Sequence, residues 1–134
     1  MQNWAILIGV AIMLITDAIV VTVLLRSVVG GVFNKLHELH PPVGAASNAV
    51  RKDLQSFRSG LINLGWSINV TVDEDHLHLE PAKIFRWFGA KSSSIPWRAV
   101  EPRKTFSKRV RNVRIGAIDL TGPKWCLELA GDPA

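Results

Sequence analysis

The stretch VTVDEDHLHLEP, Val70 to Pro81, carries the period of a β-hairpin. Val70 and Val72 alternate with Thr71 ahead of an acidic segment. Leu77 and Leu79 alternate with His76, His78 and Glu80 behind it. A side-chain period of two belongs to a strand with one buried face and one wetter face. DEDH, Asp73 to His76, supplies the polar turn between the two runs. The reading predicts strands over Ser67 to Val72 and His76 to Pro81.

Outward from this hairpin the same texture continues. Short alternating or β-branched runs predict further strands over Asp53 to Arg58, Ile84 to Phe88, Ser92 to Pro96, Val110 to Leu120 and Lys124 to Ala130. TGPK, Thr121 to Lys124, reads as a second tight turn, with Gly122 and Pro123 setting its geometry. WCLELAG alternates Trp125, Leu127 and Leu129 with Cys126, Glu128 and Ala130, one buried face against one wetter face. Strands every 8 to 12 residues with turns between them predict a mainly β domain, a mostly antiparallel sheet arranged as a small barrel, split barrel or sandwich. Phe57, Trp66, Phe85, Trp87, Phe88, Trp97 and Trp125 are too many aromatics for such a domain to leave exposed, so most belong to its core. Pro96 places the Ile95-Pro96-Trp97 strand at an edge, because proline cannot donate to a ladder. In FRWF, Phe85 and Trp87 alternate with Arg86 and Phe88, so one of the two faces can present an aromatic to a partner.

The N-terminal part has a different period. Trp4 to Leu25, WAILIGVAIMLITDAIVVTVLL, holds a single charge in 22 residues. As a helix it reaches about 33 Å, against a hydrocarbon core of about 30 Å. A signal peptide has a basic n-region and a shorter apolar run, and neither is present. A soluble core of this size rarely hides a helix that is apolar all round. The segment therefore predicts one transmembrane helix over 4–25. Residues 1–3 lie on one side, 26–50 form a juxtamembrane helix and linker, and 51–134 form the β-domain. Arg26, Lys35, Arg51 and Lys52 follow the span and no basic residue precedes it. The positive-inside tendency then puts the N-terminus outside and the domain in the cytoplasm. Trp4 fits an interfacial anchor at one end and Arg26 a snorkelling cation at the other.

Asp17 lies about 4 Å from the middle of this span. A carboxyl there costs about 2.5 to 3.5 kcal/mol on insertion scales, which the remaining residues absorb. Two readings fit it. It is a tolerated polar residue, or it borders a helix–helix contact formed by the stripe of Ala5, Gly9, Ile12, Thr16 and Val23. Gly9 and Thr16 would permit close approach of another helix, and Asp17 would hydrogen-bond across. That contact implies a membrane partner or a second copy of the chain.

Past the span, SVVGG (Ser27 to Gly31) interrupts the helix with two glycines that permit a bend. Val32, Phe33, Leu36 and Leu39 then share a helical face, and Pro41 and Pro42 stop that helix. It either lies in the membrane interface or packs on the domain. Residues 42–50 read as a linker.

All 16 basic residues and 10 of the 11 acids lie from Arg26 onward, which leaves that part with a net charge of +6. Such a surface favours anionic partners. RKTFSKRVRNVR concentrates six of these cations, Arg103, Lys104, Lys108, Arg109, Arg111 and Arg114, with no acid among them. On a membrane-tethered domain they can lie against an anionic leaflet. A solvated strand edge that repels other chains explains them as well. Stacking aromatics are sparse there beyond Phe106, so no nucleic acid partner is expected.

The single cysteine, Cys126, cannot close an internal disulfide. His37 and His40 have a spacing that could share a metal but lack a third ligand on their face, while His76 and His78 share a strand face and, with the DEDH acids nearby, could bind a metal weakly. They read as surface or turn residues. Ser92 to Ser94 sit in no nucleophile motif, and no phosphate-binding glycine loop occurs. No cofactor and no enzymatic activity are expected.

The block VTVDEDHLHLEP…FRWFGAKSSSIPWRAVEP resembles small bacterial membrane-anchored proteins with a PH-like or GRAM-like β-domain, in the turn-strand Asp73 to Leu79 and in Ile95 to Val100. The resemblance covers about residues 50–130. It implies a PH-like β-barrel acting as an adaptor at a bacterial inner membrane. With the span, the chain reads as a single-pass, non-catalytic scaffold or accessory subunit; the basic run gives the alternative, a lipid-surface module using residues 103–114. The chain departs from that pattern twice. PH folds close with a C-terminal helix, where a strand is expected here, and Ser59 to Ser67 lacks the basic residues of a phosphoinositide site.

Overall fold

A computed structural model describes residues 2–59, 62–104 and 107–131, excluding the side chains of Gln2, Val28, Val29, Ile62, Asn63, Leu64 and Trp66. The expected core role of Trp66, and the aromatic at Phe106, therefore fall outside the described residues. Helix α1 (Gln2–Val28) stands exposed along its length and is the one described helix long and apolar enough to cross a membrane. The expected interruption at the glycines is absent. Helical structure runs on through one π-turn, Val29–Phe33, into α2 (Asn34–Leu39).

The rest is a single antiparallel sheet of seven strands, in the order β4-β3-β2-β1-β7-β6-β5. The strands are β1 (Val50–Ser59), β2 (Ile62–Val72), β3 (His76–Pro81), β4 (Ser93–Pro96), β5 (Glu101–Arg103), β6 (Val110–Ile115) and β7 (Ile118–Pro123). β2 and β3 form the hairpin read from the sequence, in the register Val72↔Leu77, Val70↔Leu79 and Ile68↔Pro81. The sheet curls, so residues of both halves meet in one core: Ile68, Val70, Leu77, Leu79 and Ile95 from one, Val113, Ile115 and Leu120 from the other. β1 is the hinge of this curl. Its ladder with β2 shifts register on both sides of Gln55, and Leu54 stands at φ 53° with its N–H on Asn69 Oδ1. Such bulges bend and over-twist a strand. β1 joins β7 through the pair Arg58↔Thr121, where the Phe57 ring fills the space a side chain at Gly122 would need.

Three expected strands are corrected. Ile84 to Phe88 is helical, as α3 (Lys83–Trp87), because Gly89 at φ +89° lets the chain close a helix end. Gly89 N–H bonds Arg86 O and Ala90 N–H bonds Phe85 O, both at 3.0 Å. Val110 to Leu120 is a hairpin, because Gly116 at φ +60° begins a two-residue turn between the paired Ile115 and Ile118. Lys124 to Ala130 is α4 (Lys124–Leu127) followed by a 3₁₀ turn, Glu128–Ala130. Lys124 meets Glu128 at i, i+4, and Cys126 and Leu127 are both buried, which strand alternation forbids. TGPK is accordingly no turn: Thr121, Gly122 and Pro123 end β7 and Lys124 begins α4.

Candidate functional site

Of the two expected positions for the helix after the span, the structure has the one on the domain. Val32, Phe33 and Leu36 are 4%, 2% and 1% exposed and belong to the same core as the sheet. The π-turn makes this possible. One extra residue in a turn rotates everything after it, so apolar positions of α1 and α2 need not share a face. Leu39, expected on that face, stays mostly exposed and touches the β6–β7 turn near Gly116.

Polar bonds fasten the same segment to β4 and to the β2–β3 turn. The Lys91 N–H donates to Asn34 Oδ1 (3.1 Å), His37 Nδ1–H to Ser92 O (2.8 Å) and the Ser94 N–H to His40 O (3.1 Å). Val43 N–H then donates to Ser94 Oγ (2.9 Å) and Ala46 N–H to Asp73 Oδ2 (3.1 Å). Residues 42–50, expected as a linker, are thus laid onto the sheet at two points. The serines that matched no nucleophile motif have a structural use here. His37 likewise is committed to a carbonyl, and burial, then the nearby Arg98 charge, push the His40 imidazole below its usual value.

Asp73 is the centre of this attachment. It is 6% exposed, not the exposed turn residue its position suggested. Oδ1 accepts the N–H groups of Asp75 (2.9 Å) and His76 (2.7 Å), and Oδ2 accepts Ala46 N–H and His78 Nε2 (2.8 Å). Burial alone would raise its pKa. The hydrogen bonds from His78 and from the Ala46, His76 and Asp75 N–H groups outweigh burial and hold the carboxyl well below the carboxylate range. The other nitrogen of His78 reaches Ser94 Oγ (2.7 Å), and the Trp97 indole donates to Asp73 O (2.9 Å). Asp73, His76 and His78 bring possible ligand atoms within 4.8 Å of one another. Both His78 nitrogens and both Asp73 oxygens are nevertheless occupied, so the cluster works as a brace. An aspartate accepting N–H groups two and three residues on is an Asx turn, and the D-x-x-H spacing was its sequence signal.

α3 connects β3 to β4 at the end of the sheet where α1 departs. Phe85 packs inward on Phe33, with ring centroids 5.5 Å apart. On the outer face Trp87 is 88% exposed and Ile84 55%, flanked by the exposed Lys83 and Arg86. The expectation that FRWF presents an aromatic outward was right in kind, and the residue is Trp87. The helical spacing of Phe85 and Phe88 ahead of Gly89 was the missed signal.

The six expected cations are spread along the paired β5 and β6 and the chain between them. Arg103 ends β5 and Lys104 follows it, Lys108 and Arg109 precede β6, and Arg111 and Arg114 fall on opposite faces of β6. Arg103 pairs with Glu101 (3.3 Å), and Arg114 bonds Gly116 O (3.1 Å). The β5–β6 connection lies at the opposite end of β6 from the Gly116 turn that touches Leu39. On α1, Gly9 and Thr16 fall within about 20° of each other around the helix and Asp17 about 80° to the side. Among the described residues nothing lies within 4 Å of where a Gly9 side chain would begin, and the Thr16 hydroxyl donates to Ile12 O (2.8 Å). The chain matches no family model, no curated protein and no solved structure.

Proposed function

We propose that the chain is a single-pass, membrane-anchored, non-catalytic interaction module: a PH-like β-domain held at a fixed height above the inner face of a bacterial inner membrane, with its N-terminus outside. One observation carries this reading. The helix that continues the apolar segment enters the core of the β-domain through Val32, Phe33 and Leu36, with no free linker between. A domain built this way cannot swing on a tether. It presents its surfaces at a set distance and orientation, which suits a scaffold or accessory subunit. The consumption of Asp73 and His78 in structural bonds supports a role without catalysis. The PH-like reading draws support from the seven-strand order, with β1 between β2 and β7, and from the helical segment Lys124–Ala130 that follows β7.

The test is chemical crosslinking in native membranes, comparing the wild-type chain with one carrying a flexible Gly-Ser insertion after Val28. The reading expects a discrete crosslinked species, with a second copy or a membrane partner, that the insertion weakens or shifts. An uncrosslinked wild-type chain, or a pattern indifferent to the insertion, refutes it. A reporter fused after Ala134 and active only outside the cytoplasm refutes the orientation.

A further inference from the structure

We propose that α3 is a second membrane contact of the domain, with Trp87 and Ile84 seated in the interfacial layer and Lys83 and Arg86 against lipid phosphates. The inference rests on the reading of α1 as a span and adds to it a contact made by the folded domain.

The fold decides which part of the domain faces the bilayer. Successive positions of the helix after the span meet successive positions of the chain entering β4: Asn34 meets Lys91, His37 meets Ser92, and His40 meets Ser94. Followed backwards, α2 therefore points toward α3, and α1 leaves the domain on that side. Phe33 touches Phe85 of α3 directly. Seven residues separate Arg26 from Phe33. That is about 10 Å of helical rise. The polar layer outside the hydrocarbon is about 5 to 7 Å thick in each leaflet. The Phe33–Phe85 contact thus sits about 3 to 5 Å beyond that layer, and a tryptophan side chain extending back from α3, which Phe33 touches, can reach it.

The chemistry of the outer face fits a lipid interface. Phe85 and Phe88 turn toward the core, and Ile84 and Trp87, three residues apart, turn away from it. Together with Lys83 and Arg86 they line an open, shallow concavity. Tryptophan prefers the headgroup level, where its ring is sheltered and its N–H stays wet. Lys83, Arg86 and Lys91 are exposed cations on or next to α3. Arg86 also pairs with Glu80 at 3.2 Å, and Glu80 meets Arg51 at 3.4 Å, so the local balance stays positive. Cations beside an interfacial aromatic complement an anionic leaflet.

The experiment uses the full chain reconstituted in vesicles of equimolar phosphatidylcholine and phosphatidylglycerol, with or without brominated acyl chains. Tryptophan quenching is compared for wild type, Trp87→Phe and Trp4→Phe. Trp87 is so exposed that its replacement leaves the fold intact, and far-UV circular dichroism checks this. The expected result is a loss of lipid-quenchable emission in Trp87→Phe of the same order as in Trp4→Phe. Unchanged quenching in Trp87→Phe, beside a clear loss in Trp4→Phe, overturns the α3 contact and leaves the span reading standing; the patch then serves a protein partner. No loss in either variant removes the span reading, and the α3 contact with it.

Discussion

Asp73→Asn is the sharpest perturbation of the domain's attachment to its anchor. The substitution keeps the shape and removes the charge. It also turns one carboxylate oxygen into an NH₂ group, and each oxygen of Asp73 accepts two donors. If the amide replaces Oδ1, it confronts the N–H groups of Asp75 and His76. If it replaces Oδ2, it confronts Ala46 N–H, while His78 can change tautomer and accept, because Ser94 Oγ at its other nitrogen can take either role. The second arrangement is the cheaper one and still orphans one backbone donor, at about 1 to 3 kcal/mol. The two bonds left on Oδ1 fall from charge-assisted to neutral strength, about 1 kcal/mol more in total. The sum is about 2 to 4 kcal/mol.

Urea unfolding of the detergent-solubilised chain, followed by tryptophan emission, measures it. With a slope of about 1 to 2 kcal/mol per molar, the midpoint falls by about 1 to 4 M. The pH dependence has a definite sign. The folded pKa of Asp73 is depressed, so its contribution is complete above the unfolded carboxylate value near 3.9 and is lost as pH falls toward the folded value. The gap between wild type and Asp73→Asn is therefore flat from about pH 8 to 5 and closes below about pH 4. An unchanged midpoint, or a gap of constant size down to pH 3, refutes the account of Asp73 as a charged brace.

Gly122→Ala sets a methyl group 2.4 Å from Phe57 Cε1 at the β1–β7 joint, so it destabilises by about 1 to 3 kcal/mol, and Phe57→Leu in the same chain recovers part of the loss. Strictly additive effects in a double-mutant cycle of urea midpoints contradict the contact. Cys126 is fully buried, donates to Pro123 O and has its thiol pushed up to about 12 by burial, so at pH 8 it reacts with iodoacetamide about a thousandfold more slowly in the folded chain than in urea. Equal rates in both states contradict the burial.

The β2–β3 hairpin was legible because its two strands carry their own period and the turn its own chemistry. Three strands were misread for one shared reason. KIFRWFG and KWCLELAG fit both the helical and the strand period, and VRIGAID carries a strand period across a turn; in each the deciding residue is a glycine whose φ the sequence does not state. Gly89 and Gly131 end helical segments and Gly116 turns a hairpin, three uses of one residue type. The attachment site was less legible still. Its partners, Asn34 with Lys91 and Ala46 with Asp73, lie 57 and 27 residues apart. Each is an ordinary residue until the sheet brings it to its mate. The core face of α2 was half legible: Val32, Phe33 and Leu36 were grouped, but only the π-turn sets which side they bury.

The attachment is also what separates this chain from a domain on a string. Were residues 26–49 a flexible linker, their r.m.s. reach would be about 25 Å, and the domain would sample a hemisphere of orientations above the bilayer. The structure removes that freedom twice, once through three apolar side chains in the core and once through the bonds to Ser94 and Asp73. Ordering so many residues costs about 1 to 2 kcal/mol of backbone entropy for each. A chain that needed only membrane localisation would have no use for that expense. The cost is sensible where orientation matters, and the face so oriented is the one that carries Trp87. Severing the junction while keeping α3 intact therefore separates the two roles. With the Gly-Ser insertion after Val28, an interfacial Trp87 can still find the bilayer, and lipid quenching at position 87 persists while crosslinks that depend on a fixed height disappear. Loss of both together means that the helix alone delivers α3 to the membrane.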